Sequence, residues 1–252
     1  LGAALDDNRV RHLHQKISDY YDNYKNSNFG KELTLYELAA MESGLDWKED
    51  YQNPFLPNAR AYYGNSLADA TFSREIIEKP GQKFSYQSGS TQLLGFAIRK
   101  AINMPLSNYA SIKLWKPLGM EQHAKWSIDD NNMEKSYCCI QSNAKDFAKL
   151  GLLLLNNGNV NGQQILSPDF VNKMITPTKA SKGIYGLGVW INSKNKNPYY
   201  YLRGLYGQYV IVVPSKNMLI VRLGHQTGKD NIITSHPKEV DLYVNKSVEL
   251  FN

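Results

Sequence analysis

The segment from Lys79 to Ser90 places the strongest local constraint on how this chain can fold. It reads Lys-Pro-Gly-Gln-Lys-Phe-Ser-Tyr-Gln-Ser-Gly-Ser, so a Pro-Gly turn leads into a short aromatic segment and a Ser/Gly-rich hinge. The apolar run that follows predicts a helix over residues 90–101 that is buried on several sides. Tyr86 is therefore predicted to lie at a turn just before a helix, where its hydroxyl can project into a cleft.

Three further elements follow this segment at defined spacing. A Leu-Gly pair at 94–95 lies within the predicted helix, Pro105-Leu106 follows it, and the next helix ends at Pro117-Leu118-Gly119-Met120. In order and spacing, these elements resemble the class C β-lactamase-like serine hydrolases, which include D-alanyl-D-alanine peptidases, esterases and nylon-oligomer amidases. Tyr86-Gln87-Ser88 stands in the place of that family's Tyr-x-Asn motif.

The resemblance covers nearly the whole chain and implies an α/β fold of the α+β, β-lactamase/transpeptidase-like type. We expect one catalytic domain over residues 1–252, with a helical lobe over about 1–180 and a sheet with a terminal helix over about 181–252. Alternating Tyr, Val and Ile residues predict the antiparallel strands, and an amphipathic stretch predicts the last helix. The strands are predicted at 183–191, 198–203, 208–214 and 217–223, and the helix at 238–251.

In the resembled family the nucleophile is the Ser of a Ser-x-x-Lys pair at the start of a helix, and the Lys helps to remove its proton. Leu1, Ala4 and Leu5 recur at helical spacing and predict the end of such a helix. The pair is therefore expected two or three helical turns upstream of Leu1. Without that segment, the chain as given is expected to be inactive.

Three Ser-x-x-Lys matches occur inside the chain, which is what chance produces for so short a motif. Ser142/Lys145 is better interpreted as a helix start, with Ser142 as the N-cap. Ser193/Lys196 lies in a polar loop, and Ser235/Lys238 flanks a proline. None of the three is predicted to be the nucleophile.

Tyr86 is the predicted catalytic residue among those present. A phenol has an ordinary pKa near 10, so it can act as a base near neutral pH only where cations stabilise the phenolate. The upstream Lys and Arg203 are the candidates for that role. Ser88 has two possible roles that the sequence leaves open: it could donate to the substrate carbonyl or to the Lys, or it could cap the following helix.

The family's third landmark is a Lys-Thr-Gly box, or a variant of it, on a strand beside the site. Leu202-Arg203-Gly204 occupies that place and departs from the box at its first two positions, which favours esterase- or amidase-like relatives. Gly204 lets the backbone approach the acyl group. By resemblance, the Leu205 amide is one oxyanion-hole donor, and the amide of the missing Ser is the other.

Two aromatic residues are weaker candidates for the rim of the cleft. Trp47 opens the aromatic and polar loop over residues 46–65, which either walls the cleft or is pinned to the core by its aromatic side chains. His225 follows the last strand, where a surface-loop histidine is the simpler interpretation.

The composition limits the classes of molecule that this chain is expected to bind and the compartments in which it is expected to occur. The net charge of +6 is spread without a basic run, so nucleic-acid binding is not expected. Cys138 and Cys139 are adjacent, which argues against a disulfide and for small buried side chains. No apolar run is long enough for a transmembrane segment, and the chain begins with Leu, so targeting cannot be judged from it. The resemblance favours a periplasmic or secreted location.

The sequence thus predicts a serine hydrolase that cleaves an ester, amide or peptide bond through an acyl-enzyme, with no cofactor or metal. Its partner would be a small-molecule or peptide-like acyl substrate. Two alternatives remain: a true β-lactamase or cell-wall D,D-peptidase, which the missing Lys-Thr-Gly disfavours, and a catalytically inactive binding or sensor protein on the same fold.

Overall fold

The computed structural model of the chain describes residues 1–50, 53–226 and 236–251. They form two compact units. The first comprises Leu1–Lys113 and Ala124–Gln141, and the second comprises Leu114–His123 and Ser142–Asn252. Helices and antiparallel strands combine in an α+β architecture, which confirms the predicted fold class.

The first unit is built around one long helix. Its elements are α1 (Gly2–Asp6), α2 (Leu35–Ala39), α3 (Pro57–Tyr63), α4 (Leu67–Phe72), α5 (Ser88–Ile102), α6 (Leu106–Ala110) and a two-stranded ribbon of β1 (Lys125–Trp126) and β2 (Ile140–Gln141). All the other helices of this unit contact α5. Leu93 and Ala97 on α5 are fully buried, as the apolar run predicted.

Helix α2 is short and begins at a capping box. The Thr34 side chain accepts from the backbone of the first turn, and the Glu37 side chain accepts from the backbone N–H of Thr34. The helix ends at Ala39. Gly44 occupies a separate turn with φ +69°, where a Cβ would lie 2.1 Å from the Glu78 carbonyl oxygen.

The second unit holds the sheet. Its elements are α7 (Ala144–Leu155), β3 (Asn159–Val160), β4 (Gln163–Gln164), α8 (Pro168–Ile175), β5 (Trp190–Asn192), β6 (Tyr199–Gly204), β7 (Gln208–Val213), β8 (Met218–Arg222) and α9 (Lys238–Phe251). Strands β5 to β8 form an antiparallel sheet in sequence order. The register pairs Gly204 at the end of β6 with Gln208 at the start of β7.

Helix α7 belongs to the unit of the sheet, so that unit begins well before residue 181. The helix packs on β7 and β8. Gly151 permits the close approach, because a Cβ there would lie 2.8 Å from Val210 Cγ1 and 3.1 Å from Leu219 Cδ2.

The first predicted strand is wrong over most of its length. Of residues 183–191, only Trp190 and Ile191 lie in a strand. Gly186 packs so closely that a Cβ would lie 2.1 Å from the Met174 carbonyl oxygen, and Gly188 has φ +78°. These glycines hold a folded loop where the Tyr/Val pattern indicated extended chain.

The terminal helix coincides with its prediction. Val240, Val244 and Val248 of α9 are buried, as expected for its apolar face. Leu250, near the end of the helix, is 77% exposed. None of the helices in the described ranges has the length and apolar character needed to cross a bilayer.

The prediction for the two cysteines is wrong. Cys138 and Cys139 are joined by a disulfide and are half-buried rather than buried thiols. Their Cα atoms lie 3.7 Å apart, outside the range usual for disulfides, which is why spacing argued against the bond. Cys139 has φ +75°, so the bond coincides with a left-handed turn of the backbone.

Candidate active site

Tyr86 lies on a non-helical segment immediately before α5, as predicted. The segment runs along the chain that follows α2. Gly81 donates its amide to the Glu42 carbonyl at 2.9 Å, and Ser85 donates to the Met41 carbonyl at 2.8 Å. Gly81 has φ +80°, a left-handed conformation that glycine adopts without strain. Tyr86 itself is half-buried.

Gln87, the middle residue of the motif, anchors this segment to the core and is only 6% exposed. Its side-chain nitrogen donates to the carbonyl oxygens of Leu45 at 2.9 Å and Trp47 at 2.8 Å. Its side-chain oxygen accepts from the hydroxyls of Ser43 at 3.4 Å and Ser90 at 3.2 Å. Sequence reasoning missed this residue because the motif leaves its middle position unspecified.

Ser88 is the first residue of α5, and its two donors bind one carboxylate. The amide donates to Glu49 Oε2 at 2.8 Å, and the hydroxyl donates to Glu49 Oε1 at 2.5 Å. The N-cap residue, Gln87, makes no side-chain capping bond. The cap of α5 is therefore supplied by Glu49, where a negative charge also interacts favourably with the helix dipole. The alternative in which the Ser88 side chain caps the helix is wrong.

Trp47 is buried and helps to orient Glu49. Its indole nitrogen donates to Glu49 Oε2 at 3.0 Å. Its ring lies so close to Gly89 that a Cβ on that residue would approach Trp47 Cε3 to 2.3 Å. With 4% exposure, Trp47 pins the loop to the core, which was one of its two predicted roles.

The loop before β2 places a second aromatic residue near Glu49. The Tyr137 hydroxyl oxygen is buried and has no hydrogen-bond partner among the described residues. Burial raises the pKa of Tyr137, and the negative charge of Glu49 raises it further. Tyr137 is attached to Ser136, whose hydroxyl donates to the Thr91 carbonyl on α5 at 3.1 Å.

In the second unit, Gly204 and Leu205 lie where β6 turns into β7. A Cβ at Gly204 would lie 2.8 Å from the Cβ of Gln208, its partner across the hairpin. Leu205 is 45% exposed, and the turn continues through Tyr206 and Gly207, both with positive φ. The predicted strand–turn–strand arrangement is thus present, and only glycine fits at its entry without displacing the partner strand.

Arg203 belongs to strand β6 of this hairpin, and His225 follows a residue that is bonded to strand β7. The Arg203 guanidinium lies 5.0 Å from the centroid of the Trp190 ring, a cation–π contact within the sheet. His225 is exposed and follows Gly224, which accepts from the side-chain nitrogen of Gln208. Whether Arg203 acts on a phenolate and whether His225 lines a cleft stay predictions.

The first of the internal Ser-x-x-Lys matches lies at the start of a helix. Asn143, rather than Ser142 as predicted, is the N-cap of α7, and its side chain accepts from the Asp146 amide at 2.9 Å. The Ser142 hydroxyl donates to Asp146 Oδ2 at 3.4 Å. Ser193 and Lys196 are both exposed, and Ser235 lies outside the described residues.

Comparisons with known proteins place these features in a family. The model of the family described as Beta-lactamase matches residues 1–239. The 6-aminohexanoate-dimer hydrolase of Paenarthrobacter ureafaciens is 20% identical over 252 residues, covering 91% of this chain. This chain spans 64% of the length of that curated relative.

Solved structures show the same fold. A Bacillus anthracis protein assigned as a 6-aminohexanoate-dimer hydrolase superposes with a TM-score of 0.82 at 25% identity, covering 99% of this chain and 68% of the other. A penicillin binding protein from Bacillus halodurans gives a TM-score of 0.71 at 16% identity, over 97% and 81% of the two chains. A family VIII carboxylesterase gives 0.70 at 16% identity, over 96% and 77%. The family match over most of the chain, together with this fold, shows that the chain belongs to the beta-lactamase family.

Proposed function

We propose that this chain is the larger part of a serine hydrolase that cleaves an ester, amide or peptide bond through an acyl-enzyme. The supporting observation is the anchored Tyr86-Gln87-Ser88 segment, whose middle residue is bound by four hydrogen bonds within a chain that matches the family model. Such anchoring is what a catalytic group needs, because small displacements of a reacting group cost large factors in rate.

The nucleophile in this proposal is the Ser of a Ser-x-x-Lys pair N-terminal to Leu1. Its hydroxyl oxygen forms a bond to the substrate carbonyl carbon while its proton passes to the base, and the leaving alcohol or amine departs with a proton. Water then attacks the ester formed, and the serine hydroxyl is regenerated. The hydrogen bond of the Ser142 hydroxyl to Asp146 at the start of α7 argues against this serine as the nucleophile and supports the upstream pair.

Tyr86 is the proposed base, and the Leu205 amide is a proposed oxyanion-hole donor. The Tyr86 phenolate would receive the serine proton and pass it to the leaving group. The backbone N–H of Leu205, at the hairpin that Gly204 opens, would stabilise the negative charge on the carbonyl oxygen. The name of the 6-aminohexanoate-dimer hydrolase refers to a dimer whose two units are joined by an amide bond. Short linear amides and esters are therefore the first substrates to test.

The test uses the protein with its natural N-terminus, treated with a fluorophosphonate probe and assayed on a p-nitrophenyl ester, a short linear amide and nitrocefin. We expect an adduct on an upstream Ser, ester or amide turnover, and loss of about a hundredfold or more in kcat for Tyr86→Phe. Failure of the protein to acylate would overturn the proposal and leave a binding role. Turnover of nitrocefin alone would show a true β-lactamase instead.

A further inference from the structure

Both hydrogen-bond donors of Ser88, its amide and its hydroxyl, bind the carboxylate of Glu49. A serine hydroxyl has a single proton and two lone pairs. That proton is given to Glu49 Oε1 at 2.5 Å, and the backbone N–H is given to Oε2 at 2.8 Å. What Ser88 Oγ can still offer to another molecule is therefore a lone pair, which accepts a hydrogen bond and cannot donate one.

We infer that Glu49 is a positioning residue that fixes the Ser88 hydroxyl as a hydrogen-bond acceptor for an N–H or ammonium donor in the reaction. The inference rests on the proposed function and sharpens it. It replaces both donor roles that the sequence allowed for Ser88, toward the substrate carbonyl or toward the lysine. An ammonium group and an amide N–H both lack an acceptor atom, so each can meet Ser88 only in this orientation.

Glu49 is held in place by contacts independent of Ser88. The Trp47 indole donates to Oε2 at 3.0 Å, and the carbonyl of the same tryptophan accepts from Gln87 at 2.8 Å. The buried amide of Gln87 thus fixes the loop that carries Glu49 as well as the segment that carries Ser88. Among the described residues, three donors converge on the carboxylate, two from Ser88 and one from Trp47, and an ionised carboxylate has acceptor sites for all three.

A second serine also donates both its amide and its hydroxyl to one glutamate, an arrangement that we call a clamp. This second clamp provides a control that distinguishes a positioning role from helix capping alone. Ser107, near the start of α6, donates both its amide, at 2.9 Å, and its hydroxyl, at 2.7 Å, to Glu134 Oε1. Both clamps neutralise the first turn of a helix in the same unit, and both should stabilise the fold. Only the clamp on Ser88 adjoins the motif, so only its loss should change catalysis.

The experiment compares Glu49→Gln, Ser88→Ala, their double variant, Ser88→Thr and the control Ser107→Ala in the full-length protein. Urea midpoints report stability. The kcat and KM values are measured on a p-nitrophenyl ester and on the matched anilide, across pH. Glutamine presents one oxygen and an NH2 donor in place of two oxygens, so the Ser88 amide and hydroxyl no longer each have an acceptor atom of their own, and the hydroxyl proton is no longer held by a charged acceptor.

We expect Glu49→Gln and Ser88→Ala each to lower kcat by roughly tenfold or more, and the double variant to fall little further because the two residues act as one unit. Ser88→Thr, which keeps the hydroxyl, should retain most of kcat. Ser107→Ala should lose stability but keep kcat. A larger loss on the anilide would identify the donor as the substrate N–H, and equal losses with a shifted pH profile would identify an ammonium group.

A Glu49→Gln variant that is as fast as the wild type or faster would overturn the inference, because a released proton that helps indicates a donor role. Fully multiplicative losses in the double variant would overturn it as well. These outcomes need an active wild type. A wild type that fails to acylate contradicts the proposed function itself, which keeps the two failures distinct.

Discussion

Replacement of Gln87 by Leu tests whether this buried amide holds the motif. Leucine has a similar volume but no polar atoms, so at this site, where Gln87 is 6% exposed, the Trp47 carbonyl oxygen loses the Gln87 donor. The Leu45 carbonyl oxygen loses the same donor but keeps the backbone amide of Trp47 at 2.8 Å. Each buried carbonyl left unpaired costs ~1–3 kcal/mol. The hydroxyls of Ser43 and Ser90 lie 2.7 Å apart and can still bond each other. We therefore expect Gln87→Leu to lower the free energy of unfolding by about 2–4 kcal/mol, which combines ~1–3 kcal/mol for the unpaired Trp47 carbonyl with ~1 kcal/mol for the lost bond to Leu45.

The matched control is Gln92→Leu, one helical turn further along α5. Gln92 is fully buried, donates to the Glu134 carbonyl at 3.1 Å and accepts from the Ser136 amide at 2.9 Å. Its loss should lower stability by a similar amount. Urea titration followed by far-UV circular dichroism measures both losses, and kcat is measured at a temperature where both variants are folded.

We expect kcat to fall much more in Gln87→Leu than in Gln92→Leu, because only Gln87 lies between the two motif residues. A stability loss below ~0.5 kcal/mol for Gln87→Leu would show that the four hydrogen bonds contribute little and would refute the reasoning at its first step. Equal kcat losses in the two variants would show that Gln87 matters only through general stability.

Three further expectations follow from the described contacts. Burial lowers the pKa of His236 below its ordinary value of 6.5, so the unfolded chain binds more protons near that pH; the urea midpoint should fall as pH drops below about 6.5, and less so in His236→Asn. Ser142→Ala should leave probe labelling and kcat unchanged, because within the described ranges the hydrogen bond of the Ser142 hydroxyl goes to Asp146 at the start of α7. Denatured, unreduced protein should take up no iodoacetamide at Cys138 or Cys139 until a dithiol reductant is added, and the intact mass measures this.

Local patterns in the sequence predicted the elements that carry the motif. The Pro-Gly turn and the apolar run placed Tyr86 before α5, and turn residues placed Gly204 at the end of a strand. Both signals depend on neighbours within a few residues. For that reason they can be read from one sequence without knowing which distant segments pack together.

The residues that hold the motif could not be predicted in the same way. Glu49 contacts Ser88 across 39 positions, and it lies in a loop where other acidic residues looked equivalent. Gln87 was an unspecified middle position whose partners lie about 40 residues away. The usual disulfide spacing argued against the Cys138–Cys139 bond, at which Cys139 has a positive φ. For Glu49 and Gln87, the deciding contacts join residues about 40 positions apart, and no local pattern of the sequence records them.

The backbone at Gln87 explains why the middle residue of the motif matters. Its φ of −143° and ψ of 123° are extended, the conformation in which successive side chains of a strand alternate between two faces. The Gln87 side chain binds the carbonyl oxygens of Leu45 and Trp47, whereas the Ser88 side chain binds Glu49. A residue at this position must therefore fill buried space and satisfy two carbonyl oxygens. Those two demands favour a primary amide such as glutamine and disfavour both an apolar residue and a charged one.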